Sequence, residues 1–413
     1  MTAPGDKLHV LILGIGGVTG DFAPNWPEPV LARALARRGH RVTAIGYLQP
    51  AHPSMRARRE EIDGIDVLRA PPRIWPGPEL GRLLDAIPRP DVLHIYHFRN
   101  VFVYNAVAWA RRRGVPVVHT PVGPYHDAYL VDDRERPYAS QVRYDRLAWT
   151  LPDLLRQLRR DPRPRRQLTN YLLHAPLRQV DRFIASSRAE RVVLERMGFA
   201  PERIETIPLW IGGAPDLTPD DSVVRGLAHP IVLFIGQLTP RKGFDLLVEA
   251  MPAVVAQHPS ATFVFVSHNP ASQAEMEARA RALGVAARLV FAGRVTEAQK
   301  LALLRAAACI AIPSRYEGFG LPLLEAMQAG VPLVASDIPV IDEIVRDGTD
   351  GLLVAPESPA ALAAGIIRLL DDPALRARLA AGGRARLAAA FDEAALLERT
   401  LDCYARAAQA RVL

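Results

Sequence analysis

The sequence predicts an α/β protein with two consecutive Rossmann-like domains. Short runs of apolar, β-branched residues alternate with stretches of helical period and with Gly- or Pro-containing loops, a pattern typical of parallel sheets with crossover helices. This series occurs twice, in residues 1–212 and in residues 213–394. A chain of 413 residues is long enough for two hydrophobic cores. A final helix, about residues 395–413, could pack back on the first domain or belong to the second.

The strands of both series are short and apolar. The first, Leu8–Gly14, is an unbroken apolar run followed by a glycine-rich loop and a helix that ends at Gly39. The other strands predicted in the first domain are 41–47, 91–97, 116–121 and 182–187. Those predicted in the second domain are 231–236, 262–267, 288–293, 309–314 and 332–336.

The positive charge is unevenly distributed. Of 51 basic residues only Lys7, Lys242 and Lys300 are lysines, a bias that indicates a coding preference and not a nucleic-acid partner. Residues 1–212 contain 32 Lys/Arg and 22 Asp/Glu, and residues 213–413 contain 19 and 22. The first domain is therefore electropositive, which favours an anionic ligand or surface near it.

The segment 156–178 is rich in arginine and poor in strand formers. Residues 156–168 alone contain six arginines, and Arg178 is a seventh. One interpretation is a solvated helix pair with an Arg-rich loop. The other is a surface for an anionic acceptor or a lipid headgroup, which would make peripheral contact with a membrane.

Cysteine count, hydropathy and metal motifs exclude several classes. Cys309 and Cys403 are too few and too far apart for a Cys-based zinc site, and they favour a reducing compartment. No apolar run approaches the ~18 residues of a membrane span. We therefore expect a cytoplasmic protein, with peripheral contact at the inner membrane face left open. There is no D-x-D and no His/Asp/Glu cluster, so no metal and no other cofactor is expected.

The densest chemical signal is RYEGFGLPLLEAMQAG, residues 315–330. It follows a predicted strand and opens a helix, with Gly318 and Gly320 allowing close backbone approach to a ligand. Pro suits the first helical turn, and the free N–H groups there suit an anion such as a phosphate. Glu317 and Glu325 are eight residues apart in this corner.

This segment resembles the E-x7-E motif of the family 4 retaining glycosyltransferases. GQLTPRKG, residues 236–243, resembles the family's G-R-L-x-P-x-K-G loop, and residues 338–354 resemble its Glu-Ile-Val…Gly-Leu-Leu-Val stretch. The resemblance covers most of residues 180–395 and is a matter of pattern before that. It implies the GT-B architecture, in which two Rossmann-like domains face each other across a cleft.

The resemblance also implies roles for individual residues. Glu317 would hydrogen-bond the donor sugar, Glu325 the ribose, and Lys242 would neutralise the departing diphosphate. The remaining contacts to a nucleotide-sugar donor would come from backbone around the second motif, from residues near the base and from the first-domain loop: Gly318, Phe319, Gly320 and Leu321; Arg294 and Val295; Gly16 and Gly17.

Two positions depart from the family pattern. Gln237 replaces an arginine that grips the diphosphate, and Arg241 could compensate. Val122 replaces a histidine of the first domain. We predict His119 or His126 as the catalytic substitute, with His97 as a further alternative.

The resemblance predicts a retaining, metal-independent hexosyltransferase. The donor would be a UDP- or GDP-hexose, and the acceptor a hydroxyl of a glycan, glycolipid or small metabolite, which attacks the sugar on the same face from which the leaving phosphate departs. Two alternatives stay open: a nucleotide-sugar epimerase of GT-B fold, and a degenerate nucleotide-sugar-binding module. An NAD-dependent dehydrogenase is disfavoured because Thr19 stands where G-x-G-x-x-G requires glycine.

Overall fold

The computed structural model describes residues 7–19, 25–73, 78–123, 130, 142–213 and 217–411. These residues form two compact units. The first unit contains the described residues up to Gly212 together with those from Glu393 onward, and the second contains Gly213–Asp392. Among the described residues, no helix is long and apolar enough to cross a membrane.

The first unit is built around an eight-stranded sheet in the order β3-β4-β2-β1-β5-β6-β7-β8. All neighbouring strands are parallel except β3 and β4, which form an antiparallel hairpin at one edge. The strands are β1 (His9–Leu13), β2 (Arg41–Tyr47), β3 (Arg59–Ile62), β4 (Ile65–Ala70), β5 (Val92–Tyr96), β6 (Val117–Thr120), β7 (Arg182–Ala185) and β8 (Ile204–Thr206). Their helices are α1 (Pro27–Arg37), α2 (Pro78–Asp85), α3 (Val103–Arg112), α4 (Leu151–Arg160), α5 (Pro164–His174) and α6 (Arg188–Arg196).

The second unit has a six-stranded parallel sheet in the order β11-β10-β9-β12-β13-β14. The strands are β9 (Ile231–Ile235), β10 (Thr262–Val266), β11 (Leu289–Gly293), β12 (Ala307–Ile312), β13 (Leu333–Ser336) and β14 (Leu352–Val354). The helices are α7 (Phe244–Gln257), α8 (Gln273–Ala282), α9 (Glu297–Ala306), α10 (Leu321–Ala329), α11 (Ile341–Ile344), α12 (Pro359–Asp371) and α13 (Pro373–Ala390). Its core lies between the sheet and helices α7 and α12.

The last helix, α14 (Glu393–Gln409), packs in the first unit. The Tyr404 hydroxyl lies 2.7 Å from Nδ1 of the buried His94 in β5. At the helix start, Glu393 accepts a hydrogen bond from Arg37 of α1 at 2.5 Å. These contacts join the end of the chain to its first strands.

Four strands were not predicted from the sequence, for two physical reasons. β3 and β4 pair around the Asp63–Gly64 turn at the sheet edge, where β3 alternates exposed and half-buried charges and so lacks an apolar run. β8 and β14 are three residues long, too short to show a period of two. All ten predicted strands are present, with bounds shifted by up to two residues.

Candidate functional site

Candidate functional residues form one group in each unit, and the second unit contains the denser group. Its first part is the loop after β9, which ends in a 3-10 turn at Pro240–Lys242. Gly243 follows with φ 68°, a left-handed conformation that side chains disfavour. A Cβ atom there would lie 1.9 Å from the carbonyl oxygen of Pro313, just beyond β12. Glycine therefore lets the Lys242 turn pack directly against the end of β12.

A buried arginine joins this loop to the loop after β12. Arg315 donates two hydrogen bonds to Asp245, at 2.8 and 2.7 Å, and one to the Pro240 carbonyl at 2.5 Å. Its backbone N–H donates to the Arg241 carbonyl at 2.9 Å. Bidentate arginine–carboxylate pairs fix orientation as well as distance. Arg315 therefore positions both loops, a role that sequence reasoning missed although the residue lies within the recognised motif.

The centre of the group is a buried ion pair between the two loops. Lys242 Nζ donates to both carboxylate oxygens of Glu317, at 2.6 and 2.8 Å, and Ser314 Oγ donates to Oε1 at 2.7 Å. Burial alone would raise the pKa of Glu317, but Lys242 and Arg241 together with these hydrogen bonds hold that pKa below its usual value. Glu317 is therefore ionised at neutral pH, with its charge opposed by Lys242.

The backbone after Glu317 forms the start of α10. Gly318, Phe319 and Gly320 are buried, and the Phe319 ring contacts Phe391 edge-on at 6.2 Å between centroids. Gly320 has φ 94° and is the N-cap residue, so no side chain caps the helix that begins at the half-buried Leu321. Pro322 has no N–H and the Leu323 N–H donates to the Gly320 carbonyl at 2.9 Å, so the Leu321 N–H and the positive end of the helix remain for an anion.

Glu325 lies one turn into α10 and has a cationic partner that sequence reasoning missed. Lys300 Nζ lies 2.9 Å from Glu325 Oε1 and 2.8 Å from Glu297 Oε2. Burial acts to lower the pKa of Lys300, but the two carboxylates outweigh it and raise that pKa above its usual value. The signal was present, because Lys300 is one of three lysines in an arginine-rich chain. Two of the three lysines therefore pair with the two glutamates of the motif.

The other predicted donor residues lie at the carboxyl ends of strands in this unit. Gln237 is exposed just after β9, and Arg241 donates to the Tyr316 carbonyl at 3.4 Å. Arg294 is exposed and Val295 half-buried, directly after β11. Arg241 thus turns toward the motif loop, as compensation for Gln237 requires.

In the first unit, the glycine loop after β1 depends on close backbone contact. Gly17 has φ 61°, and a Cβ atom there would lie 2.9 Å from the Gly46 Cα atom of β2. A Cβ atom at Gly16 would lie 2.6 Å from the Trp26 ring. The glycines predicted to approach a ligand are therefore also required for packing within the unit.

The end of β5 places a histidine on a buried carboxylate. His97 has φ 69°, rare for a residue with a side chain, and its Nε2 atom lies 2.8 Å from Glu28 Oε1. Glu28 is fully buried in the first turn of α1, and its Oε2 atom has no hydrogen-bond partner among the residues described here. His97 retains 20% side-chain exposure, so it can reach both Glu28 and a ligand. The sequence indicated His97 but not its partner.

The other two histidines have different positions. His119 lies inside β6, is fully buried against Phe183, and burial lowers its pKa to about 3. The structure therefore offers no path from this imidazole to a substrate, because a central strand of the sheet encloses it. His126 lies outside the described residues. Beyond β6, Val122 adopts φ 51° and the Gly123 N–H donates to the buried Glu190 at 2.6 Å.

Within the described ranges, no three acidic, histidine or cysteine side chains lie close enough together to hold a metal ion. Both cysteines are buried and free. Metal independence stays a prediction.

Family models match both units of the chain. One described as "Glycosyltransferase Family 4" matches residues 30–211, and one described as "Glycosyl transferases group 1" matches residues 222–386. The two matches do not overlap, and together they cover most of the chain.

Similar proteins agree with these matches. A D-inositol 3-phosphate glycosyltransferase from Acidothermus cellulolyticus is 37% identical over 49% of this chain and 48% of its own length. A phosphatidyl-myo-inositol mannosyltransferase from Mycobacterium tuberculosis is 37% identical over 50% of this chain and 54% of its own length. The chain thus spans about half the length of these curated relatives. The structure of Anabaena HepE in complex with UDP and glucose superposes with TM-score 0.70, 18% identity and coverage of 97% of this chain and 100% of that one, which shows the shared fold.

Proposed function

Because the chain belongs to glycosyltransferase family 4 and has the GT-B fold, we propose that it is a retaining glycosyltransferase. It moves a hexose from a nucleotide-diphosphate sugar to an acceptor hydroxyl. The observation that supports this most is the pairing of both motif glutamates with lysines, Glu317 with Lys242 and Glu325 with Lys300, around the uncapped start of α10. An ordinary helix corner has no need for two buried lysines.

The donor half of the reaction follows from these contacts. Diphosphate departure develops negative charge, which Lys242 and the positive end of α10 at Leu321 stabilise. Glu317 holds Lys242 in place before the donor arrives, and as an ionised carboxylate it accepts hydrogen bonds from the sugar hydroxyls and opposes positive charge developing on the sugar. Glu325, oriented by Lys300, binds the ribose of the donor. Charge neutralisation by these groups supports a reaction that needs no metal.

The acceptor half is assigned to the first unit. We propose His97 in place of the family's histidine at the Val122 position, because it is the partly exposed imidazole with a buried carboxylate behind it. If Nε2 donates to Glu28, Nδ1 is left to accept a hydrogen bond from the acceptor hydroxyl. The leaving phosphate takes the proton of the attacking hydroxyl on the same face of the sugar, so the hydroxyl that Nδ1 accepts from is a neighbouring one that orients the acceptor.

The donor is tested by proton NMR of UDP-, GDP- and ADP-hexoses incubated with the full chain and EDTA. UDP is the first choice, since HepE, which shares the fold, binds UDP. We expect slow hydrolysis of one donor with the released sugar initially in the α configuration. Glu317→Gln should lower the rate by at least about a hundredfold, the scale of losing one transition-state contact. The matched control, Glu275→Gln on an exposed face of α8, should leave it unchanged.

The same spectra separate the two alternatives. Conversion of the donor into a second nucleotide sugar would identify an epimerase. A nucleotide that binds while its sugar stays intact, even with a panel of hydroxyl acceptors, would favour a binding module. Loss of activity in EDTA that Mg²⁺ or Mn²⁺ restores would contradict metal independence.

We further propose that the Arg-rich segment contacts an anionic membrane surface. Leu151 and Leu155 lie one turn apart on α4 with 58% and 51% of their surface exposed, while Leu154 packs inward. Arg159 is exposed beside them and has no ion-pair partner in the described part of the chain. Exposed leucines next to arginines are typical of helices that lie in a membrane interface. The cytoplasmic location itself stays a prediction.

Vesicle co-sedimentation tests this contact. The full chain should bind vesicles containing phosphatidylglycerol and not pure phosphatidylcholine, and binding should weaken at high salt. Leu151→Ser with Leu155→Ser, and separately Arg159→Glu with Arg165→Glu, should each reduce binding at least about tenfold. Arg368→Glu with Arg378→Glu makes the same charge change on exposed helices of the second unit and should have little effect. An equal loss of vesicle binding in all three double variants would mean that only the net charge of the chain matters, and would contradict a specific contact by this segment.

A further inference from the structure

The first unit contains a cavity that the proposed donor and acceptor groups do not use. It has a volume of about 590 Å³ and lies where β4 ends, between α2 and α3. Ala70 and Pro71 form the strand side, and Leu80 and Phe102 form apolar walls. This volume lies within the range of small-molecule sites.

The polar lining of the cavity is strongly basic. Glu79 is the acidic residue among the described residues that line it. Four arginines border it: Arg58, Arg69, Arg73 and Arg82. Arg58 is neutralised by Glu79 at 2.9 Å. Arg73 and Arg82 are exposed and have no ion-pair partner within the described residues. An excess of positive charge therefore faces the cavity.

Arg69 is the buried member of this set. Its side chain is fully buried, with Nη1 donating to the Ala57 carbonyl at 3.0 Å and to Glu60, and Nη2 donating to the Val18 carbonyl at 3.0 Å. Its Nε atom has no hydrogen-bond partner in the described ranges. A buried guanidinium N–H without a partner is unfavourable unless a ligand satisfies it. Arg69 therefore borders the cavity as a buried side chain held by its own contacts, while Arg73 and Arg82 are the exposed donors of the lining.

We propose that this cavity binds a phosphate group on the acceptor, so that the transferase acts on a small phosphorylated substrate. The assignment rests on the proposed function. Guanidinium groups bind carboxylate and phosphate alike in a bidentate way, but two free arginines match the double charge of a phosphate better than the single charge of a carboxylate. Arg69 also holds the Val18 carbonyl, next to the Gly16–Gly17 loop. Since β1, β2 and β4 are parallel neighbours, the cavity and this loop lie at the same edge of the sheet.

Phosphate binding is measured by ³¹P NMR titration of the full chain with inorganic phosphate, in the presence of saturating UDP to occupy the donor's phosphate site. Arg73→Gln with Arg82→Gln should raise the Kd for phosphate about tenfold or more, since both side chains are exposed and their loss leaves the fold intact. Arg41→Gln with Arg368→Gln, at exposed positions away from the cavity, should not change it.

A second measurement compares transfer to a hexose 6-phosphate and to the unphosphorylated hexose. The expected result is a higher kcat/KM for the phosphorylated acceptor, which the Arg73→Gln, Arg82→Gln variant loses through KM while donor hydrolysis is unchanged. Unaltered phosphate affinity in this variant, or equal kcat/KM for the two acceptors, would overturn the proposal. If instead no nucleotide sugar binds or is hydrolysed, the proposed function fails, and the phosphate titration still reports on the cavity by itself.

Discussion

The two candidate regions solve the problem of buried charge in different ways. In the second unit each motif carboxylate has a cation beside it, at 2.6 Å for Glu317 and 2.9 Å for Glu325. In the first unit, two charged side chains are buried with an atom unsatisfied in the described residues, Glu28 Oε2 and Arg69 Nε. Both motif carboxylates of the second-unit region are paired in the free protein, where the unsatisfied buried atom of the donor loop is the neutral Thr239 Oγ1, whereas the first-unit region leaves atoms of charged side chains unsatisfied within the described residues.

This difference suggests a division of roles. A site whose charges are already paired suits the part of the substrates that all such transferases share, the nucleotide diphosphate. On binding, its internal ion pairs are exchanged for contacts to phosphate and sugar. Unsatisfied donors and acceptors, in contrast, suit the part of the substrate that differs among transferases, the acceptor. The predictions below test whether the two regions depend on their charges in these different ways.

The largest effect is expected from breaking the Lys242–Glu317 pair. Lys242→Met leaves a buried carboxylate with only Ser314 as a donor, at a cost of about 3–5 kcal/mol. Because all five tryptophans precede residue 213, tryptophan fluorescence reports on the first unit, while hydrogen exchange of β9 and β12 reports on the second. We expect exchange in the second unit to accelerate while the fluorescence transition stays in place.

Two further variants sharpen this result. Lys242→Met combined with Glu317→Gln removes the unpaired charge and should recover most of the lost stability. Lys300→Met should cost less than Lys242→Met, since Glu297 retains 30% side-chain exposure and Glu325 12%, against 4% for Glu317. A fluorescence transition that shifts with Lys242→Met would show that the units do not unfold independently.

The next effect concerns the buried histidines of the first unit. Burial lowers the pKa values of His94 and His119 to about 3, whereas the unfolded chain protonates both near pH 6.5. Below pH 6.5 the unfolded state therefore binds more protons, so stability is lost as pH falls from 6.5 toward 3. Each histidine contributes a slope of about 1.4 kcal/mol per pH unit. In His119→Phe, the free energy of unfolding of the first unit should therefore depend less steeply on pH between pH 6 and 4.5, by the slope of one histidine. Denaturation followed by tryptophan fluorescence at several pH values measures it.

His268→Phe is the control, at an exposed position of the second unit. It should leave the fluorescence transition unchanged at every pH. In the second unit, hydrogen bonds and charges hold the pKa of Glu317 below its usual value, so its contribution is lost only as pH falls below about 4.5. The first unit should consequently lose stability at a higher pH than the second, and the reverse order would contradict this account.

The candidate residues of the second unit could be predicted because each lies in a short, recognisable segment of sequence. Glu317 to Glu325 form one strand–loop–helix corner, and Lys242 ends a recognisable glycine loop. Lys300 required only attention to a rare residue type. In the first unit the two contacts join residues far apart in the sequence, so no local pattern shows that Glu28 faces His97 or that Arg69 reaches the Val18 carbonyl. His119 is next to the last residue of β6, and the sequence position did not show that its side chain is buried against Phe183.

The strands also differ in how well the sequence predicts them. Buried parallel strands are continuous apolar runs, which is why all ten predicted strands are present. The edge hairpin β3–β4 depends on pairing along one sheet edge, where charged side chains replace the apolar run. Sequence patterns therefore predict what is enclosed on both faces better than what is assembled at an edge.

The smallest effect compares two helix caps. Ser187 Oγ accepts from the Glu190 N–H at 3.0 Å at the start of α6, and Thr296 Oγ1 accepts from the Gln299 N–H at 3.1 Å at the start of α9. Replacing either by Ala should cost about 1 kcal/mol.

Stability alone will not distinguish the two cap variants, but ligand binding will. Thr296→Ala loosens the turn that holds Lys300 and should weaken UDP binding severalfold. Ser187→Ala loosens the residue that holds the loop after β6, so UDP affinity should be unchanged while the KM for the acceptor rises. Isothermal titration with UDP and acceptor kinetics measure the two outcomes. Equal effects of both caps on UDP affinity would mean that the two regions are not divided between donor and acceptor as proposed.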